Sequence, residues 1–443
     1  MSKPVVKLHD YKSAFVGCVS LWALLAVSGS VAAAEWKLSP SLTSRVEYND
    51  NPRLYPDSFE AEGSTVYTLN PRLNMSAEEL NRWDASLDIN AKLTRYEDID
   101  NADNNNIFVA LDTGRKTELT EWRLGARLEE NTNFDSDFDT KTPDAGLFLD
   151  DKTVRNTLAV TPSAQWMLSE TSMLNFSIGR TDVSFDETSN TNYLDYTYDN
   201  LQLSYTWLFS ENQRIGLTGA YSEYDSPERK YSFDQTVLSL DYTYTINETS
   251  NISMSVGSRQ LDSLVEDVTV ACDINGTEWP IAQVSTTGDC PASSPPFLVV
   301  SPIIDDITQK NDGTVVNLAY SNQYQRSSFR LDMSRSVIPS SFGSAQEEKR
   351  AGLSASHALT ERLNSGIQLS ASETRTLDGV SSISDRDRMH LSASLVYKLS
   401  RDVSLSLLYN YIEQTIIATG QDGSSNAIMV NLQFGWPRLA TTY

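Results

Sequence analysis

Beyond residue 34 the chain carries two histidines, His357 and His390. They matter first, because nucleophilic chemistry needs a base within hydrogen-bond reach of a hydroxyl or thiol. His357 falls on the apolar register of its segment, beside a turn, a poor setting for a base. His390 falls on the opposite, polar register among Arg386, Asp387 and Arg388, with Ser392 two residues on. A lone histidine of that kind reads as an ordinary polar residue. The chain has no Cys/His metal spacing, no phosphate-binding glycine loop and no serine elbow. The expectation is a protein that is not an enzyme and holds no metal or cofactor. Cys272 and Cys290 are the two cysteines after residue 34, and both lie in one long stretch. In an oxidising compartment they are expected to close a loop as a disulfide, the alternative being two free thiols.

The elements that must position these residues are written in a period of two. Near the C-terminus Ile428, Val430, Leu432, Phe434 and Trp436 fall on one face, and Asn431, Gln433 and Gly435 on the other. The same split separates Leu201, Leu203, Tyr205, Trp207 and Phe209 from Gln202, Ser204 and Thr206. It recurs at Leu238, Leu240, Tyr242, Tyr244 and Ile246 against Ser239, Asp241 and Thr243. Such alternation is a β-strand with one apolar and one polar face. A soluble sandwich alternates too, so three further features decide. Many segments run to about ten residues or more, the length a tilted membrane strand needs. Aromatic residues such as Trp166, Trp207, Phe209, Tyr397 and Trp436 sit at segment ends, as interfacial girdles require. Short polar turns, such as Leu168 to Met173, Phe209 to Arg214, Ile246 to Asn251, Leu359 to Leu363 and Leu399 to Val403, alternate with long acidic connections. The pattern predicts an all-β, antiparallel, up-and-down transmembrane β-barrel of about 18 strands, with 16 as the alternative. An even count puts both termini on the periplasmic side.

Residues 1–34 read as a secretory signal peptide, with Lys3, Lys7 and Lys12 ahead of an apolar run and Ala32, Ala33 and Ala34 at its end. The barrel is expected over 35–436, with 263–312 as a long loop, extracellular or folded into the lumen, and 437–443 as a short tail. The predicted location is the outer membrane of a Gram-negative bacterium.

The formal net charge is −24, and no basic patch suited to nucleic acid is present. The acidic excess maps to outward loops, including Asp135, Asp137, Asp139, Asp150 and Asp151, a surface suited to face lipopolysaccharide. The polar strand faces instead collect Arg45, Arg72, Lys92, Arg123, Arg127, Arg155, Arg259, Arg330 and Arg350. These nine are the candidate lumen-lining residues. A basic lumen raises the local concentration of anions, which suits a hydrated anionic or sugar-like solute. The alternative is that they pair with acids across strands and simply fill the interior.

The segment from Trp36 through Pro40 to Leu42, followed by Glu47, Tyr48, Asn49, Asp50 and Asn51, resembles the outer-membrane β-barrel porins linked to exopolysaccharide gene clusters. The repeated Leu-Ser-Glu and Thr-Glu turns look like the same family. The specific motif covers the first strand only. The resemblance implies a porin-like conduit or scaffold for exopolysaccharide export. An anionic polysaccharide and export proteins of the periplasm or inner membrane would then be its partners, and it supplies no catalytic residues. The cysteine-bearing loop and the tail from Pro437 to Tyr443 depart from that pattern. Other readings are a general or weakly anion-selective diffusion porin, and an outer-membrane enzyme or surface structural protein.

Overall fold

The computed structural model describes residues 35–79, 82–99, 101–132, 152–186, 193–227, 231–274, 277–279, 299–341, 344–377, 385–436 and 439–442. The expected signal peptide lies outside these residues, as does Cys290 and with it the expected disulfide. Every regular element among the described residues is a strand. In chain order they are β1 (Glu35–Asn49), β2 (Ser64–Glu79), β3 (Trp83–Tyr96), β4 (Asn104–Lys116), β5 (Thr120–Thr132), β6 (Val154–Ser169) and β7 (Ser172–Phe185). Next come β8 (Tyr196–Ser210), β9 (Gln213–Ser226), β10 (Tyr231–Asn247), β11 (Ser250–Ile274), β12 (Thr277–Trp279) and β13 (Val299–Gln323). The last are β14 (Ser327–Ser340), β15 (Ser344–Ala358), β16 (Leu363–Thr376), β17 (Arg386–Lys398), β18 (Val403–Ile416), β19 (Gln421–Gly435) and β20 (Leu439–Thr442).

Eighteen of these strands, all but the short β12 and β20, form one antiparallel wall. It closes where β1 pairs with β19, Arg45 opposite Asn431 and Tyr48 opposite Ile428. Closure follows from the solvent: lipid offers backbone groups no hydrogen bonds, so a membrane sheet can leave no edge. The seam is also tied by side chains. Arg45 Nε donates to Asn431 Oδ1 at 2.9 Å, and Ser425 Oγ donates to Asn49 Oδ1 at 2.8 Å. β20 continues this seam past Pro437, pairing with Glu35 to Leu38. Within the tail expected over 437–443, Leu439–Thr442 therefore adds to the closing seam.

Exposed apolar side chains make up the outward face, among them Leu203, Leu217, Leu238, Leu240, Val256, Leu407, Ile428 and Leu432. At the end with short turns this belt is bounded by aromatic pairs. Trp122 meets Trp166 edge-on at 5.4 Å, Trp207 meets Phe209 at 5.4 Å, and Phe434 meets Trp436 at 4.7 Å. At the other end outward tyrosines reach acids: Tyr67 donates to Glu97 and Tyr221 to Asp234. An apolar belt between two aromatic girdles on a closed sheet is an outer-membrane β-barrel. Both ends of the closing seam, Glu35 and Thr442, lie at the short-turn, periplasmic rim.

The structure departs from the expected loop pattern in two ways. Residues 263–312 are not one irregular loop: β11 and β13 stay paired from Ser250–Asn322 out to Asp273–Val299. The hairpin thus continues well past its neighbours in the wall, since β10 pairs with β11 as far as Val265 and β14 with β13 as far as Val316. The outer connections are also not all long. Those over 227–230, 341–343 and 417–420 take only a few residues. In the last, Gly420 adopts φ 63°, a left-handed conformation that glycine alone takes without strain, and its N–H donates to Ile416 O at 2.8 Å.

One outer hairpin leaves the wall. β14 pairs with β13 only from Ser328 to Arg335, while its pairing with β15 continues to Ser340. The freed tip packs against the inward faces of β8, β9 and β10. Tyr224 Oη donates to Ser340 O at 3.0 Å, and Ala345 N donates to Tyr231 Oη at 3.1 Å. Val337 and Ala345 of the tip join Tyr196, Tyr224, Tyr231, Phe233 and Leu261 in a buried cluster, with Tyr224 stacked on Phe233 at 5.0 Å.

Candidate functional site: the inner wall

The wall's two-residue period sends every second side chain into the lumen, and the apolar outward face fixes which ones. Tyr67 and Leu69 face out, so Thr68, Asn70 and Arg72 face in; Trp122 faces out, so Arg123 faces in. By this register all nine basic candidates lie on the inward face. They do not form one ring.

Arg45, Arg72 and Lys92 surround a recess of about 200 Å³ on the β19–β1–β2–β3 wall, with Ser41, Thr43, Asn70 and Gln433. Arg72 is held by Asp88 through both carboxylate oxygens, at 3.0 and 2.8 Å from Nε. Arg123 borders a second recess of about 280 Å³ lined by Gln165, Asn175, Gln202 and Ser204. It contacts Glu121 at 2.6 Å, Asp112 at 3.1 Å and Asp84 at 3.5 Å. Arg127 pairs with Glu129 at 3.4 Å and Arg330 with Asp332 at 3.5 Å. Arg155 donates to Tyr196 Oη at 2.9 Å. Arg350 lies opposite Ser334 on one side and Ser372 on the other.

Arg259 serves the hairpin tip. Its guanidinium meets Glu347 Oε2 at 3.1 Å, and Arg335 reaches the same oxygen at 2.9 Å. Asn311 Oδ1 accepts from Arg259 as well, at 3.2 Å. Gly313, opposite Arg259 in register, makes room for it: a Cβ there would stand 2.6 Å from Arg259 Nε. Glu347 lies on the register of β15 that faces lipid lower down. Its burial against Arg259 is the direct mark of a tip folded inside the wall.

Arg72, Arg123, Arg127, Arg259 and Arg330 thus have carboxylates in contact. Sequence reading missed the clip at Glu347 and Arg335, since Arg259 and Glu347 are 88 residues apart; Gly313 beside a basic strand position is the faint trace of it. The two histidines lie on opposite faces of the wall. His390 faces the lumen and neither ring nitrogen has a hydrogen-bond partner among the described residues. His357 Nδ1 lies 2.7 Å from Ser327 Oγ on the lipid-facing register at the periplasmic rim. No cluster of metal-binding side chains occurs among the described residues.

A closed barrel with an apolar outward belt and a polar, partly ion-paired inner wall defines an outer-membrane β-barrel of porin-like build. No protein-family model and no curated protein matches the chain. Solved structures similar in fold include the ferric-catecholate import receptor Fiu of E. coli K12, at TM-score 0.47 and 8% identity over 90% of this chain and 81% of that one. Pseudomonas aeruginosa OccK2 (OpdF), solved in complex with glucuronate, aligns at TM-score 0.44 and 12% identity, covering 90% of this chain and 98% of its own. The outer membrane protein OpdK of the same organism aligns at TM-score 0.43 and 12% identity over 91% and 99%.

Proposed function

We propose that this chain is a diffusion channel of the outer membrane for small hydrated solutes, with a weak preference for anions. The observation that carries the reading is the contrast between a polar, partly open inner wall at the periplasmic end and a mouth crossed by the β14–β15 tip. An eighteen-stranded wall is wide enough for an aqueous lumen, and the recesses beside Arg45 and Arg123 are lined by Ser, Thr, Asn and Gln. The tip makes the outer half the narrow part, which favours small solutes over a polymer. Export of exopolysaccharide, the function implied by the first-strand resemblance, has no feature of the wall in its favour. A polymer track would call for a continuous polar or aromatic path through the mouth, and the aromatic residues there are packed against each other. The pairing of most basic side chains with acids supports weak rather than strong selectivity.

Swelling of liposomes that contain the full chain tests this. Uptake of monosaccharides and small sugar acids, falling off steeply for larger oligosaccharides, is the expected result. Equal passage of long oligosaccharides would favour the polymer conduit, and no uptake of any solute would leave a scaffold role.

A further inference from the structure

The recess beside Arg123 adjoins a break in the wall. The β6–β7 ladder passes from Val160–Arg180 straight to Ser163–Ser177, missing the pairs between. Those pairs need an N–H at residue 162, and Pro162 has none. The carbonyl of Ile178, opposite Pro162, is left without its ladder donor, next to Ser163 and Ser177. Pro71 does the same to the β2–β3 ladder, which passes from Leu69–Leu93 to Arg72–Asn90. The recess at Arg45 straddles that break, with Asn70 and Lys92 in its lining. Proline is rare inside a paired strand because of this loss, and here each of the two breaks adjoins a hollow in the inner wall.

The lining of the Arg123 recess decides what fits it. Two rows of inward side chains cross β5 to β8. In one, Glu121 lies opposite Gln165, Gln165 opposite Asn175, and Asn175 opposite Ser204; in the other, Arg123 opposite Ser163, Ser163 opposite Ser177, and Ser177 opposite Gln202. The charges stand at one end and are spent on each other: Arg123 meets Glu121 at 2.6 Å, with Asp112 and Asp84 also in contact. One guanidinium against three carboxylates leaves no net positive charge for an anion. The other six side chains are neutral amides and hydroxyls, which both donate and accept. Their complement is a ligand that donates and accepts at several points, which hydroxyl groups do and a carboxylate or sulfate group does not. At about 280 Å³ the recess falls just below the ~300 Å³ at which drug-sized sites begin, so it takes one ring rather than a chain.

We propose that Ser163, Gln165, Asn175, Ser177 and Gln202 form a binding subsite for a neutral, hydroxyl-rich ring, a monosaccharide, in the periplasmic half of the lumen. The proposal deepens the channel reading and rests on it for the route by which the solute arrives. Gln165 and Asn175, directly opposite each other, exchange hydrogen bonds with neighbouring hydroxyls of the ring. Ser163 and Ser177 hold the edge next to the break. The Glu121–Arg123 pair closes the other end and turns anionic groups away. The site thus gives the channel a preference among neutral solutes that a weak anion selectivity of the pore does not supply.

The test is saturation-transfer NMR of D-glucose with the full refolded barrel in detergent micelles, with D-glucuronate as the charged counterpart. Glucose should bind saturably, and glucuronate should need a several-fold higher concentration. Asn175→Val should raise the half-saturating glucose concentration about three- to tenfold, the loss expected for a neutral hydrogen bond. Arg330→Gln, a change at an ion pair elsewhere on the wall, should stay within about twofold of the parent. Should Asn175→Val not fold, Gln165→Val carries the same comparison. The site would be overturned by the absence of a saturable glucose signal, or by glucuronate saturating at the lower concentration. A glucose response that Asn175→Val and Gln165→Val both leave unchanged would overturn it as well. Liposome swelling separates the site from the channel: glucose binding by a barrel that passes no solute would keep the site and sink the channel, and a conducting barrel without glucose binding would do the reverse.

Discussion

The two halves of the lumen are built on one alternation and end up unlike. On β18 the inward residues near the periplasmic rim, Ser404 and Ser406, are partly open, while Ile412, Gln414 and Ile416 toward the outer rim are buried. β1 repeats the gradient, with Glu47 and Asn49 buried at its outer end. β10 does so with Tyr231, Phe233 and Gln235. At the periplasmic end the wall is a polar surface whose charges pair with near neighbours on the same or adjacent strands. At the outer end it is a packed interior, with an aromatic core and a buried ion cluster joining segments distant in sequence. The strand pattern sets which side chains point inward. Whether they meet water or protein is set by the hairpin that leaves the wall.

The sharpest break of that contrast is Glu347→Ala. It leaves Arg259, with a side chain 2% exposed, as an uncompensated charge beneath the tip. Removing one partner of a buried pair costs about 3–5 kcal/mol. Urea unfolding of the barrel in lipid vesicles should show a loss of that order, and single-channel conductance should rise as the tip detaches. An unchanged midpoint together with unchanged conductance would mean that the tip is held by other contacts. Phe233→Ala removes a buried ring stacked on Tyr224, and the expected cost is about 3 kcal/mol or more on the same assay. Gly313→Ala places a methyl group against Arg259 and should cost about 1–3 kcal/mol by overpacking, without altering the periplasmic recesses. At the other end of the lumen, Arg72→Gln breaks a pair whose arginine side chain is 55% exposed. Its stability effect should stay within about 1 kcal/mol, and its signature should be a small shift of reversal potential toward cations.

What could be read from the chain follows the same division. The period of two, the short turns after each second wall strand and the aromatic pairs at their ends are local features, and each appears in the structure at the residues that suggested it. Leu238 and Leu240 face lipid, Trp207 and Phe209 sit at the periplasmic rim, and Arg123 faces in because Trp122 faces out. The outer half depends on contacts that no local pattern records. In sequence the long β11–β13 hairpin reads as loop, because prolines and acids outweigh strand signals there. The β14–β15 tip carries the alternation of an ordinary wall strand, so nothing in its own residues separates Glu347 facing Arg259 from Glu347 facing solvent.

Single-channel recording of the full chain in a planar bilayer, under a salt gradient, tests the central claim most directly. The account expects an open channel of modest conductance, a reversal potential on the anion side, and a clear increase in conductance for Glu347→Ala. A barrel that carries no current either as the parent or with the tip released would contradict it.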